Sequence, residues 1–201
     1  MSSGSVPTVS APTFAELLWP ARDSGAASAL RAVVLAVAGS ALLAISAKIQ
    51  VPIPPVPITL QTLVVLLIGA TYGWRLAGAT TLLYLAEGMA GLPVFANTPP
   101  QVASPAYLLG PTGGYLIGYV AAAMLMGVLA ERGWDRSLWR VIAMMTIGHI
   151  VIFAFGLAWL AHLFGAGKAW AVGAAPFILG TVIKTALAAA LIKAAWGLAR
   201  R

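Results

Sequence analysis

The chain has no cysteine, which excludes a disulfide framework, a thiol nucleophile and a thiolate metal site. It is nearly as poor in charge. Charged residues make up 8% of its 201 residues, where a soluble domain carries about 25%, so there are too few to cover a surface facing water. A nucleotide loop is also missing. Gly165-Ala-Gly-Lys168-Ala169 lacks the first glycine of a phosphate loop and has alanine where a serine or threonine must hold magnesium. Uphill movement of a solute would therefore draw on an ion gradient or on another subunit.

What the chain does have is apolar length. Hydrophobic residues reach 61% and the mean hydropathy is +0.94. The apolar runs are continuous and rich in Ala and Leu, without the alternation of a transmembrane barrel. At about 20 residues per span, five to seven helices fit, and six runs can be marked. The expected fold is all-α, a polytopic membrane protein with six transmembrane helices. Residues 1–29 read as a tail with a short interfacial segment at 14–19, residues 30–196 as the membrane domain, and residues 197–201 as a basic C-terminal tail.

The first run, residues 30–47, carries Ala32, Ala36, Ser40 and Ala44 at four-residue spacing. That smooth stripe suits close helix packing, either inside the protein or against another membrane subunit. Next comes Lys48-Ile-Gln-Val-Pro-Ile-Pro-Pro-Val-Pro57. Pro52, Pro54, Pro55 and Pro57 cannot sit in a helix interior, because each fixes φ and lacks an N–H. The segment is a stiff extended loop, and the apolar residues between the prolines lay it over the protein. Further helices are expected at about 58–70, 76–89, 110–130 and 141–164, with the sixth following the turn at 165–168.

The formal charge of +7 is spread over helix ends, which fits orientation in a membrane and not nucleic-acid binding. Six crossings put Arg22, Arg31, Arg75, Arg132, Arg136, Arg140, Lys193, Arg200 and Arg201 on the side of the termini, against Lys48 and Lys168 on the other. The positive-inside rule then places both termini in the cytoplasm.

Lys184 is the largest local risk. It lies in an apolar stretch, about ten residues past the expected helix start and so roughly 15 Å deep. A lysine at that depth costs on the order of 2.5–3.5 kcal/mol on insertion scales and calls for a partner. Tyr84 and Glu87 end the third helix, Thr59 and Gln61 begin the second, and Thr112 and Tyr115 begin the fourth. Thr181 shares a helix face with Lys184 at i, i+3 spacing. These groups, with Asn97 in the long uncharged segment before helix four, outline an outer pocket. In it Lys184 either pairs with Glu87 or binds an anionic solute, and depth favours the solute. Gly113-Gly114 allows close approach of a ligand or of another helix. An intramembrane enzyme using His149, His162 and Glu87 is the alternative from another class, with no metal spacing or nucleophile–base pair legible.

The proline loop running into Ile58-Thr-Leu-Gln61, then Gly91-Leu-Pro-Val-Phe-Ala96, then Gly110-Pro-Thr-Gly-Gly-Tyr-Leu-Ile-Gly118 resembles the BioY family in content and order. These are the biotin-binding membrane (S) subunits of energy-coupling-factor (ECF) vitamin transporters of the bacterial inner membrane. The resemblance implies capture of biotin from outside, in a cavity capped by the loop between helices one and two. It also implies a transmembrane coupling subunit and ABC-type ATPases as partners, with ATP used only on those partners. No cofactor and no bond chemistry are implied, and some members are reported to work alone. Together with the pocket read from the residues, this gives a candidate binding set of Lys184, Thr181, Tyr115, Asn97, Tyr84, Gln61 and Glu87, with Pro52, Pro54, Pro55 and Pro57 as lid and the Ala32–Ala36–Ser40–Ala44 stripe as candidate partner dock. The family's last motif, Pro-Gly-Asp-x-x-Lys, matches Leu179, Gly180, Thr181 and Lys184, so Thr181 replaces an aspartate and offers a neutral hydroxyl instead.

Overall fold

The computed structural model describes residues 11–20 and 25–199. Most of the N-terminal tail, with Arg22, Arg200 and Arg201 from the charge argument, lies outside the described residues. Eight helices carry the fold. They are α1 (Phe14–Leu18), α2 (Gly25–Lys48), α3 (Gln61–Tyr72), α4 (Trp74–Met89), α5 (Gly113–Glu131), α6 (Leu138–Phe164), α7 (Ala166–Gly173) and α8 (Ile178–Ala199). Four segments are long and apolar enough to cross a membrane: α2, α5, α6 and the run Ala166–Ala199. The chain is a multi-pass membrane protein. In place of six full-length spans, α3 and α4 are shorter, with 12 and 16 residues. At 1.5 Å per residue α3 covers only about 18 Å of a ~30 Å core.

Burial explains how so short a helix is tolerated. α5 is the most enclosed of the long helices and packs against α3, α4 and α6. α2 lies beyond α4, and α8 lies beyond α6. α3 is buried along most of its length, so its ends meet protein rather than lipid. Gly73, at φ +80°, folds α3 back onto α4. The Glu131 carboxylate at the end of α5 accepts a hydrogen bond from the Trp74 N–H at 3.0 Å, capping α4.

The α5–α6 contact is close because glycines make it so. A Cβ on Gly114 would sit 2.6 Å from the Phe155 carbonyl oxygen, and one on Gly118 3.1 Å from the Ile152 Cα. Gly113 is pressed in the same way on the Leu108 backbone. Both members of the Gly113-Gly114 pair therefore serve packing.

Other expectations shift. The proline loop closes as a two-stranded ribbon, β1 (Gln50–Val51) against β2 (Ile58–Thr59), with Gln50 opposite Thr59. α1 forms at the expected interfacial segment under a capping box, Thr13 with Glu16. Phe14 then meets the Trp196 ring edge to face at 5.8 Å. The last helix starts later than expected, because α7 and a 3-10 turn, Ala175–Phe177, intervene. Lys184 is thus six residues into α8, about 9 Å along it rather than 15 Å.

Ser40 is buried and donates its hydroxyl hydrogen to the Glu87 carboxylate across the α2–α4 contact. Ala32, Ala36 and Ala44 are half-buried on the same stripe, while Leu30, Val33 and Val37 face outward. Ser40 is thus taken up by packing within the protein and is not free to dock a partner.

Gly114→Val should force α5 and α6 apart at a backbone carbonyl and cost about 1–3 kcal/mol. A thermal-stability scan of the purified protein in detergent should show the midpoint falling by several degrees, and an unchanged midpoint would contradict this close packing.

Candidate functional site

Lys184 is held by neutral oxygens. Its Nζ donates to the Thr59 carbonyl at 2.6 Å and to Thr62 Oγ1 at 3.0 Å. These bonds tie α8 to β2 and to the first turn of α3. Glu87 is bonded to Ser40 and lines neither the cavity beside Lys184 nor the one above it. The alternative of an ion pair between Glu87 and Lys184 is therefore not met among the described residues, and Glu87 lies apart from the cavity of the candidate binding set.

The ammonium borders a cavity walled on one side by Tyr115, Phe153 and Phe177. Tyr115 and Phe177 stack with centroids 6.3 Å apart, and Phe153 meets both rings edge on, at 6.1 and 5.8 Å. Tyr115 is fixed from behind, since its hydroxyl donates to the Gly173 carbonyl at 2.8 Å. Its ring lies flat on Gly156, where any Cβ would be 2.3 Å away. The opposite wall is polar: Gln61, Thr59, Thr62 and Thr112. Val56 and Pro57 of the ribbon loop close the top.

Gln61 is buried and oriented by its neighbours. Its side-chain amide donates to Tyr84 Oη at 2.7 Å, and Tyr84 passes its own proton to the Val94 carbonyl at 3.1 Å. The same amide nitrogen also reaches the Leu43 carbonyl at 3.4 Å, so both hydrogens of Gln61 are engaged by the protein. Tyr84 thus stands behind the site rather than in its wall.

The enclosed space is about 30 Å³, roughly one water in volume, whereas small-molecule pockets run to about 300–1,000 Å³. Directly outside lies a vestibule of about 580 Å³ between Pro52, Pro54 and Pro55 of the loop and the segment holding Asn97. Tyr107 and Thr112 border both spaces. A solute larger than water must move this partition to reach Lys184.

Two clasps hold the outer cover down. Lys48, at the end of α2, donates to the carbonyls of Phe95 (2.7 Å) and Thr98 and to Thr98 Oγ1 (3.2 Å). Gln50 donates to Asn97 Oδ1 at 3.0 Å. Asn97, at φ +59°, therefore belongs to the vestibule and to the clasp. Phe95 is fully buried between Gly88, Tyr84 and Tyr107 and forms no part of the inner wall.

Thr181 does not stay with Lys184. It faces a separate groove of about 690 Å³ between α6 and α8, alongside His149 and Thr185. Three residues of helix turn the side chain by about 60°, and Phe153 borders both spaces. His149 Nδ1 lies 2.9 Å from the Met145 carbonyl. His162 is exposed beside Trp159, about 20 Å away at helical rise. Among the described residues no three His, Cys, Asp or Glu side chains converge as metal ligands.

Of the expected residues, the fold brings Lys184, Tyr115 and Gln61 together, with Pro57 as cover and Tyr84 as support. Phe153, Phe177 and Tyr107 were missed. Phe153 is one apolar residue in a 27-residue apolar helix, and nothing in its spacing marks it. Phe177 follows Pro176 in the 3-10 turn, and that helix break was the signal available.

The family model described as "BioY family" matches residues 20–201. "Probable biotin transporter BioY" of Pyrococcus horikoshii is 38% identical over 148 residues, covering 74% of this chain and 85% of the relative. "Biotin transporter BioY" of Thermotoga maritima is 37% identical over 153 residues, covering 75% and 86%. The fold matches the crystal structure of the S-component for biotin from an ECF-type ABC transporter, with a TM-score of 0.70 at 23% identity, over 86% of this chain and 93% of that one.

Lys48→Met should free the turn at residues 95–98. Losing hydrogen bonds to a cation should speed amide exchange there by about tenfold or more. Exchange followed by mass spectrometry checks this, and unchanged rates would show that the clasp holds nothing.

Proposed function

The chain belongs to the BioY family, and from that premise we propose that it is a biotin-binding S subunit that captures the vitamin for import. One observation supports the reading most. Among the described residues Lys184 is the single cation bordering the cavity, and both of its bonds go to uncharged oxygens. An ammonium in a low-dielectric site without a negative partner is costly, and a carboxylate on the solute supplies one. Biotin has that carboxylate, a ureido group that needs acceptors and donors, and a fused apolar bicycle. In our reading the carboxylate meets Lys184, the bicycle lies among Tyr115, Phe153 and Phe177, and the ureido group meets Gln61 and the threonine hydroxyls. Thr181 and Glu87 take no part. The vestibule with Asn97 receives the solute first, and the proline loop then covers it.

The chain carries no nucleotide motif and we assign it no bond chemistry. Release inward falls to a transmembrane coupling subunit and ABC-type ATPases. The outward face of α2, with Leu30, Val33 and Val37, is our candidate for the coupling subunit. In our reading both termini face the cytoplasm of a bacterial inner membrane, which the distribution of basic residues supports. Solitary transport is the competing mode.

Lys184→Met should weaken biotin binding about ten- to a hundredfold, the range for one hydrogen bond to a charged group, while the protein still inserts. Calorimetry on the purified variant checks this, and wild-type affinity would remove Lys184 from the site. Biotin uptake should vanish in cells lacking every coupling subunit. Retained uptake there would replace the shared machinery with the solitary mode.

A further inference from the structure

The cavity beside Lys184, at about 30 Å³, falls far short of the roughly 300–1,000 Å³ of an ordinary small-molecule pocket. Lifting the cover at Tyr107 and Thr112 opens the way in from the vestibule. Room for a fused bicycle must still come from a wall that yields.

Most of the wall is fixed. Tyr115 is buried, with its ring seated on Gly156 and its hydroxyl bonded to the Gly173 carbonyl. Phe177 is buried and stacked on Tyr115. Gln61 is buried and held by Tyr84 and Leu43. Phe153 differs from all three. It is half-buried, has no polar atom to anchor it, and meets Tyr115 and Phe177 edge on rather than stacked. Among the described residues it alone lines both the cavity and the groove of about 690 Å³ between α6 and α8.

That groove can take a displaced ring. Ala154 and Ala174 on its lining are small, and Ile150, Ile178 and Val182 are exposed. These residues lie on segments apolar enough to cross a membrane, so the groove faces lipid hydrocarbon. Lipid tails are as apolar as an aromatic ring, and a ring that leaves the wall for the groove meets no water. Two χ1 wells are open to a phenylalanine on a helix. A change between them moves the ring sideways and leaves the backbone in place.

We propose that Phe153 sets the size of the ring system that the site accepts. On binding, its ring turns from the cavity toward the α6–α8 groove, and the bicycle takes the space it leaves beside Tyr115 and Phe177. This rests on the reading of the cavity as the vitamin site. Lys184 then holds the carboxylate, and Phe153 gauges the bicycle. Cavity and groove are two volumes divided by one movable ring, so what one gains the other gives up.

The purified full chain with 4-fluorophenylalanine at position 153 tests the movement directly. Dissolved oxygen concentrates in hydrocarbon and speeds the relaxation of a fluorine that it can reach. Saturating biotin should raise the oxygen effect at position 153, as the ring enters the groove. Calorimetry on Phe153→Leu tests the selection, with biotin and biotin sulfone, which adds two oxygens to the bicycle, as probes. The wild-type preference for biotin should shrink by about tenfold or more, the lower end of what one extra group costs in a fitted apolar pocket. An oxygen effect that biotin leaves unchanged or lowers, or a Phe153→Leu preference equal to the wild type's, would overturn the proposal and leave the vitamin site standing. Failure of the wild type to bind biotin would overturn the site reading and this proposal with it. If Phe153→Leu does not fold, the fluorine measurement decides alone.

Discussion

A lysine in a membrane helix has to be solvated by something other than water, and much of the outer half of this protein is arranged around that need. Thr59 and Thr62 supply the oxygens, which requires β2 and the start of α3 to lie against α8. β2 reaches that position because the proline loop turns back as a ribbon on β1. The same ribbon delivers Pro57 and Val56 over the cavity. Solvating one ammonium therefore fixes the register of the cover above it. Neutral oxygens relieve the hydrogen-bonding requirement and leave the charge uncompensated, which is the ground for the binding role proposed for Lys184.

The inner cavity and the vestibule are two unequal spaces on one path to Lys184. A space of about 30 Å³ beside one of about 580 Å³, with Tyr107 and Thr112 bordering both, describes a covered arrangement. Opening it costs the bonds from Lys48 and Gln50 to the 95–98 turn. Those clasps attach the cover to the outer end of α2. A movement of α2 would thus be felt at the lid, which links the helix assigned to the coupling subunit with access to the site.

Much of this was legible in the chain itself. Low charge and continuous apolar runs required a helical membrane protein, because lipid offers no partner for open backbone. Four prolines required an extended loop, and Lys184 stood out because a charge in hydrocarbon has few explanations. Gly73 and Glu131 illustrate the limit. The turn at Gly73 was readable as a turn, whereas the carboxylate capping Trp74 comes from 57 residues away, and local pattern cannot carry that. Glu87 shows the same limit from the other side. It was the one carboxylate near the pocket in the chain's order, at a depth that already disfavoured pairing with Lys184, and its azimuth on α4 turned it to Ser40.

The sequence by itself determined the environment, the number of apolar runs, the stiff loop and the one cation that needed explaining, because composition and periodicity act locally. Only the tertiary structure decided which face each polar residue presents. Thr181 and Lys184 are three residues apart and were expected to share a pocket. Packing of α6 against α8 leaves one on a lateral groove and the other on the cavity, with Phe153 bordering both. Helix spacing fixes the angle between two side chains, but only packing fixes what stands in that angle. For the same reason Phe153 and Phe177, indistinguishable in an apolar run, became walls of the site once neighbouring helices closed around them.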